Sequence, residues 1–195
     1  MLLLRNLLAL FGLIVLGLVI YVAIIVFPKV DQIKQMDSAA VTVYLDMIEK
    51  VLSSGDAAEA TTWKVQVDEG LSTDEVEEVM KFVANEHNIK NVGELPLYKQ
   101  VEAMSGKPYR FAKVYMFCNA LTAAKMMDYS NAYSAYLPCR VSMVEDKTGT
   151  LWIYTLNMDL MIHGGKPLPP ALDVEAKKVK TIILDIMNRA AKGEF

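Results

Sequence analysis

The feature that most constrains this chain is an apolar run from Leu7 to Phe27, which contains no charged residue and no proline. At about 1.5 Å per residue, a helix of this length crosses a hydrocarbon core of about 30 Å. A cleaved signal peptide is the alternative, but its apolar core is usually about 7–15 residues long and precedes a pair of small residues. This run is longer and ends in Ile24-Ile25-Val26-Phe27-Pro28. The sequence therefore favours a retained single-pass anchor over residues 1–28.

The orientation of the anchor depends on the positive charges at its two ends. Arg5 precedes the apolar run, and Lys29 and Lys34 follow it, so these charges alone are nearly balanced. Because short N-terminal tails usually stay inside, we expect a cytoplasmic N-terminus and the rest of the chain on the outer face. In a bacterium, this puts the anchor in the inner membrane and the domain in the periplasm.

Charge and composition exclude several classes of protein. The formal net charge is −3, which leaves no basic footprint for nucleic acid. Hydrophobic residues make up 53% of the chain and charged residues 22%, a balance that excludes an intrinsically disordered protein. A single long apolar run also excludes a polytopic transporter. We expect the lipid bilayer, and no nucleic acid, among the partners of this chain.

An amphipathic helix is predicted directly after the anchor. Apolar residues recur there at steps of three and four, namely Ile33, Met36, Ala40, Val43, Tyr44, Met47 and Val51. Ser53-Ser54-Gly55 is typical of a helix end. The apolar stripe needs a cover, which is either the chain's own domain or, in a self-associating stalk, another copy of the chain. Residues 29–56 are therefore interpreted as a linker helix, and residues 57–195 as a domain.

The domain alternates short strands with helices. Alternating or apolar stretches predict strands at Thr61–Glu69, Tyr109–Cys118, Cys139–Glu145 and Leu151–Leu156, the last two joined by an Asp146-Lys147-Thr148-Gly149 turn. Helices are predicted after Ser72-Thr73-Asp74-Glu75, at Ala120–Met127 and after Pro167-Leu168-Pro169-Pro170, with a long connection at Asn88–Pro108 that holds a short helix at Leu97–Met104. Hairpins outweigh crossover helices, so we expect an α+β fold, a two-layer sandwich with a mostly antiparallel sheet.

Three stretches carry a resemblance to a known family: Val114-Tyr115-Met116-Phe117-Cys118-Asn119, Tyr136-Leu137-Pro138-Cys139-Arg140-Val141 and Val144-Glu145-Asp146-Lys147-Thr148-Gly149. Together they resemble the domain of unknown function 302 family over about Thr61–His163, although Ala120 stands where that family commonly has proline. The resemblance implies an α+β sandwich and a tendency to self-associate, and it implies no reaction. The anchored form resembles proteins of bacteria with sulfur-oxidising or phototrophic metabolism.

Cys118 and Cys139 are the two cysteines of the chain, and each lies at a predicted strand boundary. In the periplasm they are candidates for a disulfide, which would close a loop of about 20 residues and stabilise by about 3 kcal/mol. Two buried thiols are the second interpretation, and a thiolate nucleophile or a metal pair is the third. No Cys-x-x-Cys motif occurs, so the sequence gives no support for a thioredoxin-like role.

Met158, Met161 and His163 form a second candidate site, because they fall within six residues after a predicted strand. Thioether and imidazole ligands suit Cu(I) or axial ligation of a haem iron. The alternative is that the methionines fill gaps in the core and His163 begins a glycine turn. Haem and copper are thus the candidate cofactors, and a covalent c-type haem is excluded because Cys-x-x-Cys-His is absent.

Aromatic residues are concentrated around the second cysteine. With Arg140, they form a candidate binding surface that is equally compatible with ordinary core packing: Tyr129, Tyr133, Tyr136 and Trp152. No nucleophile or phosphate-loop motif is present, and the paired acids Glu77-Glu78 and Glu145-Asp146 are typical of solvated surfaces. No catalytic residue is therefore assigned.

These observations favour a non-catalytic, membrane-anchored periplasmic module for binding or assembly. We expect it to self-associate or to act as an accessory subunit of a membrane complex. The alternative is a haem- or copper-binding protein of redox or metal handling, in sulfur or respiratory metabolism.

Overall fold

A computed structural model describes residues 2–195 of the chain, with side-chain environments from residue 4 onward. Its first element is the helix α1 (Leu2–Ile33). Among the described residues, one helix is long and apolar enough to cross a membrane, and it is the Leu4–Ile33 part of α1. Its most apolar stretch of 18 residues has a mean hydropathy of 3.1, and none of that stretch is buried. A signal sequence meets the same criteria. Met1, the first residue of the predicted anchor, lies outside the described residues.

The break between the apolar helix and the next helix lies later than Pro28. Helix α1 continues through Pro28, and the next helix, α2 (Ala40–Ser54), begins only after a turn at residues 34–39. Asp37 supplies the physical reason for this turn. Its carboxylate Oδ1 accepts the backbone N–H of Ala39 at 2.8 Å, a local bond that competes with helix continuation.

The remaining elements form the domain. Their bounds are α3 (Ala57–Ala60), β1 (Thr62–Gln66), α4 (Thr73–Glu86), β2 (Lys90–Leu95), α5 (Leu97–Ser105), β3 (Ala112–Cys118), α6 (Ala120–Tyr129), a 3-10 helix (Asn131–Ala135), β4 (Cys139–Glu145), β5 (Leu151–Leu156), α7 (Asp159–His163) and α8 (Pro170–Lys192).

The five strands form one sheet in the order β1-β5-β4-β3-β2, and every neighbouring pair is antiparallel. Helices α4 and α8 pack against each other and against the sheet. The core lies between these layers and includes the fully buried residues Met80, Tyr115, Met143, Ile153, Ile183 and Ile186. The predicted α+β fold with a mostly antiparallel sheet is confirmed.

Local signals in the sequence agree closely with several elements. Strands β4 and β5 have the predicted bounds, and the turn between them is closed by the backbone bond from Asp146 N–H to the Thr150 carbonyl at 2.8 Å. The Ser72 hydroxyl accepts the N–H of Glu75, and the Glu75 carboxylate accepts the N–H of Ser72, as a capping box requires. Strand β2 was not predicted from the sequence, and its pairing with β3 shifts register between Asn91 and Gly93. This bulge interrupts the alternation by which strands are recognised.

Candidate functional site

An enclosed, mostly apolar cavity of the described domain lies where the ends of β3 and β4 meet α6, α7 and α8. It has a volume of about 50 Å³, enough for a few water-sized groups. Its wall consists of Ile89, Phe117, Cys118, Asn119, Thr122, Ala123, Met126, Tyr133, Tyr136, Leu137, Cys139, Met158, Met161, Ile162, Ala176 and Val179. We call this space the sulfur cavity, because two cysteines and three methionines contribute to its wall.

The antiparallel sheet brings the two cysteines together. Cys139 is the first residue of β4 and lies opposite Phe117 of β3, so Cys118 is the neighbour of its pairing partner. Both residues are half-buried and free in the structure. They lie as two neighbouring thiols on the wall of the sulfur cavity.

Burial controls the protonation of these thiols. It raises the pKa of Cys139 to about 11, with a smaller contribution from the neighbouring Cys118. Burial also raises the pKa of Cys118. Because both pKa values are raised, the thiols are protonated at neutral pH and lack the thiolate character of a nucleophile.

The structure separates the three residues of the second candidate site. Met158 and Met161 line the sulfur cavity. His163 does not line it, and its ring Nδ1 lies 3.2 Å from Oδ1 of Asp37, in the turn between α1 and α2. Met158, Met161 and His163 therefore do not converge in the structure, because the imidazole lies against the turn between α1 and α2.

The predicted aromatic surface is also divided. Tyr133 and Tyr136 line the sulfur cavity, and the Tyr133 hydroxyl donates to the Met161 carbonyl at 3.0 Å. The ring of Tyr129 lies beside that of Tyr133 in a tilted arrangement, with ring centroids 6.1 Å apart, and all three tyrosines border a shallow outer groove. The tyrosines thus form a wall between the cavity and the groove.

Arg140 and Trp152 are not part of this tyrosine wall. Arg140 is exposed and alternates with Cys139 and Val141, so it lies on the opposite face of the sheet. The Trp152 indole donates to the Asp146 carboxylate at 3.0 Å, at the hairpin end of β5. Arg140 and Trp152 therefore lie apart from the three tyrosines of the predicted binding surface.

Helix α2 has two apolar faces, of which the sequence analysis recognised one. The recognised face packs against α3 and α7, with Ala40 fully buried and Val43 and Met47 half-buried. The second face, which was not predicted, is exposed and has the spacing i, i+4, i+7, i+11. It consists of Val41, Leu45, Ile48 and Leu52, which are 56%, 59%, 49% and 81% exposed. We call it the outer stripe of α2.

Three contacts fix α2 and the preceding turn to the domain. The Asp37 carboxylate meets His163, the Asp37 N–H donates to the Gly165 carbonyl at 2.8 Å, and the Tyr44 hydroxyl donates to the Gly164 carbonyl at 2.6 Å. We call them the docking contacts. They hold the turn after α1 and the first part of α2 against the residues that follow α7.

A network of four charges lies at the edge of the sheet beneath α4. Lys113 binds Glu77 at 2.6 Å and Glu94 at 2.7 Å, and Lys81 binds the same two carboxylates. Burial raises the pKa of Glu94, but hydrogen bonds from both lysines outweigh it and lower this pKa to about 2. Glu77, expected to be solvated, is instead ion-paired, whereas Glu78 is exposed. The network is neutral as a whole and is consistent with a structural role.

Ligands of a conventional metal site are not assembled. Within residues 2–195, no three His, Cys, Asp or Glu side chains are placed to hold a metal ion together. A porphyrin is also too large for the sulfur cavity, since pockets for ligands of that size have volumes of about 300–1,000 Å³.

Comparison with known proteins identifies the domain type. A family model described as domain of unknown function DUF302 matches residues 63–190. Among solved structures, the chain is similar to the crystal structure of an uncharacterized conserved protein DUF302 from Bacillus stearothermophilus. The TM-score is 0.55 at 14% identity, over 67% of this chain and 98% of that one, which shows a shared fold. No curated protein matches the chain.

Proposed function

Since this chain belongs to the family of the domain of unknown function DUF302, whose description names no reaction, we propose that it is a non-catalytic, membrane-anchored assembly module that pairs with a second copy of itself. The observation that carries the proposal is the outer stripe of α2. Four large apolar side chains are exposed there, only a short turn after the apolar helix α1. A contiguous exposed apolar patch of this kind is typical of an interaction surface.

The proposal takes α1 as a retained anchor with its N-terminus in the cytoplasm and the domain in the periplasm. Its support is the length of the apolar segment, which exceeds the core of a signal peptide. Two anchored copies share one membrane, so their outer stripes lie parallel and at the same height. This arrangement removes much of the rotational and translational freedom that association normally costs.

Charge favours a second copy over the lipid surface as the cover of the outer stripe. Helices that lie in the membrane interface are usually rich in Lys and Arg on their polar side. Helix α2 carries Asp46 and Glu49 against the single Lys50, a balance unsuited to anionic headgroups. The spacing of Val41, Leu45, Ile48 and Leu52 instead matches the seam between two paired helices.

The docking contacts couple the pairing of the α2 helices to the orientation of the domains. Because Asp37 and Tyr44 join the base of the anchor to Gly164 and Gly165, the domain does not swing freely from α2. Pairing of two α2 helices would therefore set the relative orientation of the two domains, including the tyrosine wall of each. This is how a non-catalytic module can present a defined surface to a membrane complex.

The mass of the full chain in detergent or lipid nanodiscs, measured by native mass spectrometry, tests the pairing. We expect a dimer for the natural chain and a monomer for the double variant Leu45→Glu/Ile48→Glu. Lys50→Glu is the matched control, since it adds negative charge on the opposite side of the same helix and should leave the dimer intact. A natural chain that is monomeric at all concentrations, or a double variant that still dimerises, contradicts the proposal.

The anchor is tested separately by the mass of the protein extracted from membranes. A mass that includes residues 1–28, together with resistance to alkaline extraction, supports a retained anchor. A mass lacking the apolar segment shows a cleaved signal sequence and overturns the anchored assembly.

A further inference from the structure

The composition of the sulfur cavity is not explained by assembly. Five of its sixteen lining residues contain sulfur, whereas Cys and Met together account for fourteen of the 195 residues of the chain. Both cysteines of the protein are among the five. The five sulfur-containing residues come from four separate parts of the fold. Strand β3 supplies Cys118, β4 supplies Cys139 and α6 supplies Met126. Met158 immediately precedes α7, and Met161 lies within α7.

The chemistry of these donors selects one class of ligand. Thiol and thioether sulfur are soft ligands that favour Cu(I) over hard cations. The cavity wall contains no carboxylate and no imidazole. In the described chain, no three His, Cys, Asp or Glu side chains meet at a possible metal site, so the ligand set typical of Zn²⁺ is not present.

Charge balance in the cavity also favours a monovalent ion. A bare charge is costly in apolar surroundings, and so is a complex that retains a large net charge. One thiolate neutralises one Cu(I), and thioethers add ligands without adding charge. Divalent ions need a second anionic ligand for the same balance, which here would require Cys118 and Cys139 to ionise side by side in apolar surroundings. On binding, the thiol of Cys139 would release one proton to solvent, as metal binding to cysteine requires.

The geometry of α7 suits this ligand set. Met158 and Met161 are three residues apart, and the Met161 N–H donates to the Met158 carbonyl at 3.0 Å, so they lie on one side of a single turn. The Tyr133 hydroxyl holds the Met161 carbonyl at 3.0 Å and thereby fixes the turn beside the cavity. Cys139, at the start of β4, lines the same cavity.

We propose that the sulfur cavity binds one Cu(I) ion through the Cys139 thiolate and the thioethers of Met158 and Met161. Cys118 is the adjacent thiol that supports this site, and His163, held by Asp37, has no part in it. The site lies within one protomer and goes beyond the proposed assembly role. Its failure leaves the dimer untouched, and a monomeric chain can still bind the ion.

Competition for Cu(I) tests the proposal. The full chain, purified in detergent without oxygen, is titrated against the chromophoric Cu(I) complex of bicinchoninate. We expect the protein to remove one equivalent of Cu(I) and to bind no Zn²⁺ under the same conditions. X-ray absorption at the copper edge should show sulfur neighbours only.

Variants assign the ligands. Cys139→Ala should abolish binding, Met158→Leu and Met161→Leu should each weaken it at least tenfold, and Cys118→Ala should weaken it less than Cys139→Ala does. Met104→Leu is the control, because Met104 is 90% exposed on α5 and does not belong to the cavity wall. Met→Leu changes conserve volume and are usually tolerated, so these two variants keep the test valid if Cys139→Ala fails to fold.

Three results overturn the proposal. They are no uptake of Cu(I), unchanged affinity in both folded Met→Leu variants, and nitrogen or oxygen neighbours in place of sulfur. Thermal unfolding of each metal-free variant establishes that a loss of binding is not a loss of fold.

Discussion

The Nδ1 atom of His163 lies 3.2 Å from Oδ1 of Asp37, although the two residues are 126 positions apart in the sequence. Their side chains are only 15% and 16% exposed. Asp37 belongs to the turn that follows the apolar helix, and His163 ends α7, which borders the sulfur cavity. One polar contact thus connects the turn that follows the apolar helix with the helix that borders the candidate ligand site.

Removing the imidazole should loosen the turn between α1 and α2. In His163→Ala, Asp37 loses one partner but keeps the N–H of Ala39. The loss of one net hydrogen bond of about 1 kcal/mol corresponds to roughly fivefold faster local opening. Amide hydrogen exchange at residues 37–43 of the full chain should rise by about that factor.

Asp31→Asn is the matched control for this change, because it removes an exposed ion pair with Lys34 in the same region. Exposed pairs contribute little, so exchange should be unchanged. Equal exchange in His163→Ala and in the natural chain would show that the Asp37 contact does not hold the turn.

Gly164 should tolerate no side chain, whereas its neighbour should. A Cβ at Gly164 would lie 2.3 Å from the backbone carbonyl oxygen of Leu160, and the backbone cannot yield as a flexible side chain does. A Cβ at Gly165 meets nothing within 4 Å. Because the Gly164 carbonyl accepts the Tyr44 hydroxyl, the shift also weakens the docking contacts.

Thermal or denaturant unfolding of the full chain in detergent checks this difference. Gly164→Ala should lower the free energy of unfolding by about 1–3 kcal/mol, and Gly165→Ala should change it by less than about 0.5 kcal/mol. A similar small effect for both variants would contradict the close approach at Gly164.

The charge network beneath α4 should make the free energy of unfolding depend on pH. The pKa of Glu94 falls from 4.5 to about 2 in the folded state. A group with a lowered pKa contributes fully above its unfolded value, and this contribution is lost as the pH falls through the folded value. The ion pairs of Glu94 with Lys113 and Lys81 therefore stabilise the fold above pH 4.5 and stop doing so towards pH 2.

Denaturant unfolding between about pH 6 and about pH 2 measures this dependence. The natural chain should lose more stability across the range than Glu94→Gln, because the variant has no carboxyl to protonate. Glu78→Gln, an exposed change on α4, should follow the natural chain. Parallel curves for the natural chain and Glu94→Gln would rule out the network as the source of the pH dependence.

Local patterns in the sequence predicted much of the fold. The Asp146–Gly149 turn and the alternation around it predicted β4 and β5 with their observed bounds, and the Ser72 box predicted the start of α4. These features depend on residues a few positions apart, so a linear pattern contains them. Strand β2 was missed because its bulge at Asn91 and Gly93 breaks that pattern.

The candidate site was harder to predict from the sequence than the fold was. The grouping of Met158, Met161 and His163 relied on closeness along the chain, but the packing of α7 directs the methionines and the imidazole to different places. The outer stripe of α2 was present in the spacing of Val41, Leu45, Ile48 and Leu52. Only the packed structure shows which of the two apolar faces of α2 the domain covers.

The sequence by itself determined that the chain begins with an apolar helix, continues into an antiparallel α+β domain and resembles a family without a known reaction. Periodicity, turn chemistry and short motifs are sufficient for these conclusions, because each depends on neighbouring residues. The tertiary structure decided which distant residues meet, including Cys118 with Cys139 and Asp37 with His163. Such contacts depend on strand register and on the packing of helices against the sheet, which no local pattern specifies.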